Sequence, residues 1–438
     1  MTLLAGPVSG ERQIRELEAA YTAPGAPGHD HLVWTRASGA RVWDARDREL
    51  IDFTSGVLVA SIGHAHPRVA DAIAEQARTL LNCYDAPHPL RGRVAAKLVQ
   101  LAGPPFEAAA LLTTGSEAIE TAVKLARAAT GRHEILSFSG GFHGKTLGSL
   151  SLTGIPSNRR GLGPLMPGTL VAPYAYCYRC PVQRRHPECG VACADQMVEV
   201  EATNGTGSLA AVIVEPYLGS GGAVVPPPDF WPRIRRFAAE RGALLIMDEV
   251  QAGLGRAGSW FAFQQLGIVP DILVTAKGLG SGVPISAVLS THAILGSLTP
   301  GSLGSTYGGN PLSCAAALAT LEVMEETDAP RRARELGGSM LATMRSWVGE
   351  VPGLGEARGA GMSFGLEMVK EEGRRTPDPE RALAVLYRAD ELGLVVLPPA
   401  GSHENVVRLA PPLLIPDEDL RRGLALLREA LLTTTPTP

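Results

Sequence analysis

The chain lacks the features that mark several whole classes of protein. Its 40 basic and 44 acidic residues give a formal net charge of −4, so it has no basic excess for binding nucleic acid. No apolar run reaches the length of a membrane span, and the first residues lack the basic start and apolar core of a signal peptide. Six cysteines in 438 residues are too few for a secreted disulfide scaffold. We therefore expect a cytoplasmic globular protein with no nucleic-acid or membrane partner.

Lysine is scarce, because arginine supplies nearly all of the positive charge. The chain contains only Lys97, Lys124, Lys145, Lys277 and Lys370, so chemistry that needs a primary amine has few candidates. Lys97 and Lys124 fall within predicted helices, and Lys370 ends a predicted strand beside two glutamates. Lys277 directly follows the apolar run ILVTA, which makes it the strongest candidate for amine chemistry.

Four of the six cysteines are clustered in one short segment. Cys177 and Cys180 are spaced C-x2-C, Cys189 and Cys193 are spaced C-x3-C, and eight residues separate the pairs. Four thiols at such spacing are compatible with a closed tetrahedral zinc site, although the gap between the pairs is short for a zinc ribbon. Structural zinc, disulfides and free thiols all stay open, and we expect no catalytic metal.

The order of predicted elements indicates two kinds of architecture. Short apolar runs such as LAAVIVEP and ALLIMDEV alternate with amphipathic helices, a pattern typical of a mostly parallel sheet with both faces covered. From about Thr327 a helix is followed by several strands and a closing helix, which indicates an α+β unit. We predict an N-terminal segment over residues 1–60, a large α/β domain over 61–327 and a C-terminal small domain over 328–438.

Polar residues end three neighbouring apolar strands of the predicted large domain. Glu215 follows AVIV, Asp248 follows LLIM, and Lys277 follows ILVTA. Because open parallel sheets bind ligands at the carboxyl ends of their strands, we expect these three side chains to face one crevice. Buried charges are costly, so a merely structural role for such a set is the weaker interpretation.

A predicted helix begins at the end of another strand, in the stretch LLTTGSEAIETAVKLAR. Gly115 and Ser116 open this helix, whose free N–H groups and positive dipole end suit a phosphate. Alone, this signal is weak, since Gly-Ser is also an ordinary helix start. A phosphate site, a strand-end lysine and a strand-end carboxylate together are the three anchors that pyridoxal phosphate needs.

These residues resemble those of the class III (subgroup II) aminotransferases, which are pyridoxal-phosphate enzymes of fold type I. The resemblance extends from VWDARDRELIDFTSG to VVRLAPPLLIPDEDL, and its strongest motif runs from LLIMDEVQAGLGRAG to ILVTAKGLGSG. It implies a large domain with a mostly parallel seven-stranded sheet covered by helices. It also implies a small α+β domain built from the N- and C-terminal segments.

The resemblance also implies roles for individual residues around the cofactor. Lys277 corresponds to the Schiff-base lysine of a ping-pong aldimine/pyridoxamine mechanism, Asp248 to the partner of the pyridine nitrogen, and Gln251 to a residue beside the ring oxygen O3′. Gly115 and Ser116 correspond to the phosphate cup.

Four further positions match residues around the ring and the phosphate in this family. Phe142 is expected to stack on the ring with His143 beside it, and Glu215 matches an active-site glutamate next to the cofactor. Thr306 resembles a threonine that binds phosphate in the neighbouring subunit, which implies a homodimer with active sites at the interface, or a tetramer of such dimers.

The implied substrates are an amino acid and a 2-oxo acid such as pyruvate or 2-oxoglutarate. Arg408 resembles the arginine that binds the substrate carboxylate, a task suited to its planar bidentate donors. Enzymes of the 4-aminobutyrate and ornithine type carry a glutamate gate in the loop after EP, where this chain has Ser220. Arg408 is therefore expected to lack that gate, which suits donors carrying an α-carboxylate or pyruvate as acceptor.

Other activities of related enzymes stay open. Dialkylglycine decarboxylase has a glutamine where this chain has Val57, which cannot donate a hydrogen bond, so a decarboxylating transaminase is disfavoured. Lys145 falls where 4-aminobutyrate enzymes bind a distal carboxylate, and is either a second anion contact or a solvated side chain. A racemase or epimerase that uses the same lysine is an alternative. A non-catalytic zinc-binding protein is the alternative least supported by the residues.

Overall fold

The protein is described by a computed structural model over residues 10–23, 25, 32–371 and 375–435. Parts of the predicted N-terminal and C-terminal segments lie outside the described residues. They are residues 1–9, 24, 26–31, 372–374 and 436–438. The strands are, in chain order, β1 (Trp34–Ser38), β2 (Arg41–Asp44), β3 (Glu49–Asp52), β4 (Ala108–Leu112), β5 (Glu134–Phe138), β6 (Thr169–Ala172), β7 (Leu209–Val214), β8 (Leu244–Asp248), β9 (Ile272–Thr275), β10 (Ser286–Ser290), β11 (Leu354–Ala360), β12 (Ser363–Met368), β13 (Leu394–Val395), β14 (Leu397–Ala400) and β15 (Val406–Leu409).

The helices lie between these strands and on either side of the sheets. They are α1 (Glu11–Tyr21), α2 (Ser55–Leu58), α3 (Pro67–Ala77), α4 (Pro89–Ala102), α5 (Gly115–Thr130), α6 (Leu147–Leu152), α7 (Pro156–Arg159), α8 (Ala192–Asn204), α9 (Phe230–Glu240), α10 (His292–Leu295), α11 (Pro311–Glu326), α12 (Ala329–Ser346), α13 (Pro379–Leu392) and α14 (Asp417–Thr433). Across the described residues, none of these helices is both long enough and apolar enough to cross a membrane.

A seven-stranded sheet forms the centre of the molecule, in the order β4-β10-β9-β8-β7-β5-β6. The strands from β9 through β6 are parallel to their neighbours, whereas β10 runs antiparallel to both β9 and β4. Every residue of β5 and β7 is buried, as expected for strands covered on both faces. The predicted mostly parallel seven-stranded sheet is thus confirmed.

Two smaller sheets bring the two ends of the chain together. One has the order β1-β2-β3-β13, in which Ile51 of β3 is in parallel register with Leu394 of β13. The other, β11-β12-β15-β14, is antiparallel and built only from C-terminal strands. The pairing of β3 with β13 supports a small domain made from both ends of the chain. The boundaries at residues 60 and 327 stay a prediction.

Helix α5 is well specified by its own sequence. Thr114 caps it and forms a capping box with Glu117, and the left-handed Gly131 (φ 67) ends it. Its apolar side chains, among them Ile119 and Leu125, pack into a buried cluster with residues of the central sheet. This packing fixes the start of the helix at the carboxyl ends of the parallel strands.

The cysteine segment is held between the central sheet and the antiparallel small sheet. All six cysteines are free, and Cys177, Cys180, Cys189 and Cys193 line one cavity of about 10 Å³. Burial raises the pKa of Cys193 to about 11, and the other three thiols add to this effect. Among the described residues, no group of three or more His, Cys, Asp or Glu side chains is arranged to hold a metal ion.

Candidate active site

A cavity of about 350 Å³ lies at the carboxyl ends of the parallel strands. Its volume falls within the range of sites for small molecules and cofactors. The cavity brings together side chains from segments that are far apart in the chain. Its predicted site residues are Gly115, Ser116, Phe142, His143, Glu215, Asp248, Gln251 and Lys277.

Asp248 ends β8 and forms a buried pair with His143. The Nδ1 atom of His143 lies 2.7 Å from Oδ2 of Asp248, and the backbone N–H of Val250 donates to Oδ1 at 3.0 Å. Burial alone would lower the pKa of His143, but the hydrogen bond to Asp248 and the charges of Asp248 and Glu215 raise it. With a proton on Nδ1, His143 donates to Asp248 and so fixes the orientation of that carboxylate.

Glu215 follows β7 and is held by backbone donors from two loops. The N–H of Phe142 donates to Oε1 at 2.8 Å, and the N–H of Gly219 donates to Oε2 at 3.0 Å. Burial raises the pKa of Glu215 to about 7; the charge of His143 opposes this shift and Asp248 reinforces it. Glu215 therefore gains and loses a proton near neutral pH, and its protonation couples to that of its neighbours.

Lys277 follows β9 in a strained conformation. Its φ is 41°, a left-handed value that ordinary side chains rarely adopt and that is common at functional sites. Its Nζ lies 3.3 Å from Oε1 of Gln251. Burial lowers the pKa of this amine to about 8 and Arg408 adds to the shift, whereas Asp248 and Glu215 oppose it. A substantial fraction of the amine is therefore neutral and nucleophilic near physiological pH.

The N-terminus of α5 faces the same cavity. The hydroxyl of Ser116 accepts the backbone N–H of Lys145 at 3.3 Å, which ties the loop after Phe142 to the helix start. Gly144 has a φ of 133°, and a Cβ there would come within 2.2 Å of the Ser116 hydroxyl. Gly115 and Ser116 of this helix start line the cavity, where the N–H groups of a helix N-terminus suit an anion.

Arg408 on β15 lies beside this group. Its Nε is buried and has no hydrogen-bond partner within the described part of the chain. Burial lowers its pKa to about 10, against the opposing effects of Tyr217 and Glu215, so the guanidinium remains charged at neutral pH. A buried, charged donor without a partner is costly unless a ligand completes it. Arg408 thus keeps an unsatisfied donor near Lys277 in the described part of the chain.

Arg408 does not line the cavity itself, and neither do four other predicted site residues. Ser220 makes a backbone contact, accepting the N–H of Gly401 at 3.1 Å, and the side chain of Lys145 is exposed. Val57 is 45% exposed and has a φ of 65° within α2, whose four residues all have positive φ and form a left-handed turn. Thr306 is exposed beside Ser305, whose hydroxyl donates to Glu117 of α5.

Sequence reasoning missed several residues that shape the site. Val59, just after the left-handed turn, lines the cavity instead of Val57. The hydroxyl of Tyr174 donates to the carbonyl of Glu215 at 3.0 Å, and Tyr217 is buried beside Arg408. The sequence signal for a role of Tyr217 is its position two residues after Glu215. That position does not show which way the tyrosine ring points.

The cavity residues fit pyridoxal phosphate. The amine of Lys277 makes one long contact, to Gln251, so its nitrogen is available for a bond to the cofactor aldehyde. Asp248 is an oriented carboxylate for the pyridine nitrogen, and the N-terminus of α5 offers N–H donors for the phosphate. The amine, the carboxylate and the helix end therefore match the aldehyde, the pyridine nitrogen and the phosphate of this cofactor.

Substituting Gly219 with alanine should lower activity at a small cost in stability. A Cβ at this position would lie 2.3 Å from Nε2 of Gln251, whose flexible end moves more easily than backbone. We expect Gln251 to turn away from Lys277, with kcat reduced about tenfold, since misplacing catalytic groups by about 1 Å costs up to about 100-fold. The matched control is Gly338→Ala on exposed helix α12, where a Cβ meets nothing within 4 Å. It should raise stability by about 0.5–1 kcal/mol and leave kcat unchanged, and an equal kcat in both variants would contradict the prediction.

Comparisons with known proteins identify the family. Residues 24–431 match the family described as Aminotransferase class-III. A 5-aminovalerate aminotransferase of Pseudomonas aeruginosa is 38% identical over 428 residues, covering 96% of this chain and 98% of the relative. A leucine/methionine racemase of Thermococcus litoralis is 38% identical over 426 residues, covering 96% of this chain and 94% of the racemase.

A solved structure agrees with both the fold and the cofactor. An amine transaminase from an uncultivated Pseudomonas species, in its PLP-bound form, matches with a TM-score of 0.88 and 32% identity, covering 95% of this chain and 98% of that one. The chain therefore belongs to the class III aminotransferases and is a pyridoxal-phosphate-dependent transaminase of fold type I that acts on an amino donor and a 2-oxo acid.

Proposed function

We propose that this transaminase acts on amino donors that carry a carboxylate near the reacting amine, and returns the amino group to a 2-oxo acid such as pyruvate. The observation that carries the proposal is the buried Nε of Arg408, which has no partner in the described residues and lies near Lys277. A substrate carboxylate completes that donor. Because Ser220 carries no charge, it cannot neutralise Arg408 when a substrate leaves.

Lys277, Asp248 and Glu215 are the proposed catalytic residues. Pyridoxal phosphate, when bound, supplies a ring that withdraws electrons from the substrate carbon. Lys277 would hold the cofactor through its amine, and its Nζ would carry the proton that leaves and returns to the substrate carbon. Asp248, oriented by His143, would keep the pyridine nitrogen protonated. Glu215 positions the loops of Phe142 and Gly219 through its two carboxylate oxygens.

The remaining cofactor contacts surround these residues. Gly115 and Ser116 would hold the phosphate at the start of α5, and Phe142 would cover one face of the ring. Gln251, which already accepts from Lys277, would contact the ring oxygen. The exposed amine of Lys145 contacts an anionic substrate tail, and Val57 holds a rigid position on its left-handed turn.

The proposal includes a cytoplasmic homodimer with shared active sites. Thr306 does not line its own chain's cavity and is exposed, as expected for a residue that serves a second copy. Large apolar side chains are exposed in the same region, including Tyr307 at 64% and Tyr84 at 55%. A second copy that covers them would remove an exposed apolar surface.

Racemisation is the second candidate, because the racemase of Thermococcus litoralis is as similar in identity as the 5-aminovalerate aminotransferase. The deciding experiment incubates the holoenzyme with single L-amino acids, with and without pyruvate or 2-oxoglutarate. We expect the keto acid of the donor to form only when an acceptor is present. Accumulation of the D-enantiomer as the main product without acceptor would replace the transaminase proposal with a racemase.

Formation of the holoenzyme should depend on pH through Lys277. Only the neutral amine attacks an aldehyde, and burial lowers the pKa of this amine to about 8. The rate at which apoenzyme binds pyridoxal phosphate should therefore rise with pH and level off above about 8. Stopped-flow absorbance from pH 6 to pH 10 measures it, and a rise that continues to the ordinary lysine pKa would contradict the assigned environment.

A further inference from the structure

A second arginine lies in the same row of the small sheet as Arg408. Arg358 on β11 pairs in register with Gly365 on β12, and Gly365 pairs with Arg408 on β15. Residues paired directly across neighbouring strands project from the same face of a sheet. Arg358 is only 6% exposed, whereas Arg408 is partly exposed with a buried Nε. Both arginines project from one face of the sheet, with a residue that has no side chain between them.

The loop after Glu215 lies on this row. The Nε of Arg358 donates to the carbonyl of Gly222 at 2.9 Å. A Cβ on Gly365 would come within 2.6 Å of the same oxygen, so the loop lies directly against β12. The other end of the loop is held at Gly219, whose N–H donates to Glu215 in the cavity. Residues 219–222 are thus fixed at one end by the active-site carboxylate and at the other by Arg358.

The charge of Arg358 is neutralised, unlike that of Arg408. Its Nη1 donates to Glu356 at 2.5 Å and also to Glu367. Glu367 additionally accepts from Tyr176 and Arg179 of the cysteine segment. Burial alone would raise the pKa of Glu367, but Arg358 and these hydrogen bonds hold it below its ordinary value. Arg358 therefore holds its place and does not compete with Arg408 for a substrate carboxylate.

We propose that Arg358 is a positioning residue that holds loop 219–222 in place beside Arg408, and so sets the affinity of the site for a substrate carboxylate. This inference rests on the proposed role of Arg408. It also gives the cysteine segment a function, because Tyr176 and Arg179 help to fix the carboxylate that fixes Arg358. The segment supports the substrate site from outside without contributing a side chain to the cavity.

The test compares Arg358→Gln with a matched buried arginine. Arg381 on α13 is 1% exposed and donates to the carbonyls of Pro352 and Leu431. Like Arg358, it has one nitrogen without a partner in the described chain. It does not line the cavity. Butanoate, a carboxylate without an amine, serves as the probe for all holoenzymes. Its inhibition constant against the amino donor and the rise in Tm that it causes are both measured.

We expect Arg358→Gln to raise the inhibition constant of butanoate about tenfold and to shrink its effect on Tm, while affinity for pyridoxal phosphate changes little. Arg381→Gln should lower Tm without changing either response. If Arg358→Gln does not fold, Arg358→Lys carries the same comparison, since lysine keeps the charge but cannot donate to Gly222 and both carboxylates together. A butanoate response equal to that of the wild type overturns the proposal. Absence of any butanoate response in the wild type would instead refute the role of Arg408.

Discussion

Replacing Lys277 with alanine is expected to remove transamination almost completely. The amine is the proposed attachment point for the cofactor and the proposed proton carrier, and a positioned proton carrier alone contributes about 10²–10⁴-fold to a rate. We therefore expect kcat to fall about 10⁴-fold or more. The visible-edge absorbance of cofactor bound to a lysine amine should disappear, although pyridoxal phosphate can still bind through its phosphate. Single-turnover kinetics and absorbance spectra of the purified variant measure both effects.

The matched control is Lys97→Ala, which removes another of the five lysines. The Nζ of Lys97 lies 2.7 Å from a carboxylate oxygen of Glu325 at the end of α11, and neither residue lines the cavity. It should keep the absorbance band and a normal kcat. A small amine such as ethylamine should partly restore the rate of Lys277→Ala, because it supplies the missing proton carrier. Retention of the absorbance band in Lys277→Ala would disprove the assignment.

Replacing Arg408 with glutamine is expected to give the second-largest loss, confined to substrates with a carboxylate. Removing one partner of a buried charge pair costs about 2–5 kcal/mol. This corresponds to a fall in kcat/KM of about one and a half to three and a half orders of magnitude. The loss should appear mainly in KM for amino acids, and an amine without a carboxylate, such as 1-phenylethylamine, should be affected far less. The stabilisation of holoenzyme by butanoate should vanish.

Two comparisons separate this effect from general damage to the fold. Arg381→Gln removes a more deeply buried arginine, whose partners are the carbonyls of Pro352 and Leu431, and should leave KM unchanged. Arg408→Lys keeps the charge without the planar fork, so it should recover only part of the affinity. Equal losses for amino acids and for 1-phenylethylamine in Arg408→Gln would show that Arg408 supports the fold and does not bind the carboxylate.

The cofactor side of the site could be predicted from local patterns. Asp248 and Lys277 each end a short apolar strand, and Gly115 opens a helix at the end of another, so each position follows from neighbours in the chain. The structure places all three around one cavity. The side of the cavity near Val57 was less predictable. Four residues with positive φ turn Val57 outward and leave Val59 as the lining residue, and apolar periodicity does not reveal such a turn.

The spacing of the cysteines did not indicate how their segment connects to the site. The spacing left zinc, disulfides and free thiols open, and the four thiols line one cavity without bonds between them. The contacts that connect the segment to the site are made by Tyr176 and Arg179, which lie between and beside the cysteines. Their partner, Glu367, is almost two hundred residues away, so the pattern of cysteines alone could not indicate it.

The sequence by itself determined the parallel sheet, the order of its elements and the chemical set of amine, carboxylate and helix end, because all of these depend on short-range periodicity. Only the tertiary structure decided which of two strand arginines is left free. Both Arg358 and Arg408 lie on small-sheet strands, but Arg358 donates to Gly222, 136 residues away, and to Glu367. Whether an arginine in the sheet is neutralised depends on partners that folding brings close. For that reason Arg408, whose Nε has no partner in the described residues, is the one that we propose for the substrate carboxylate.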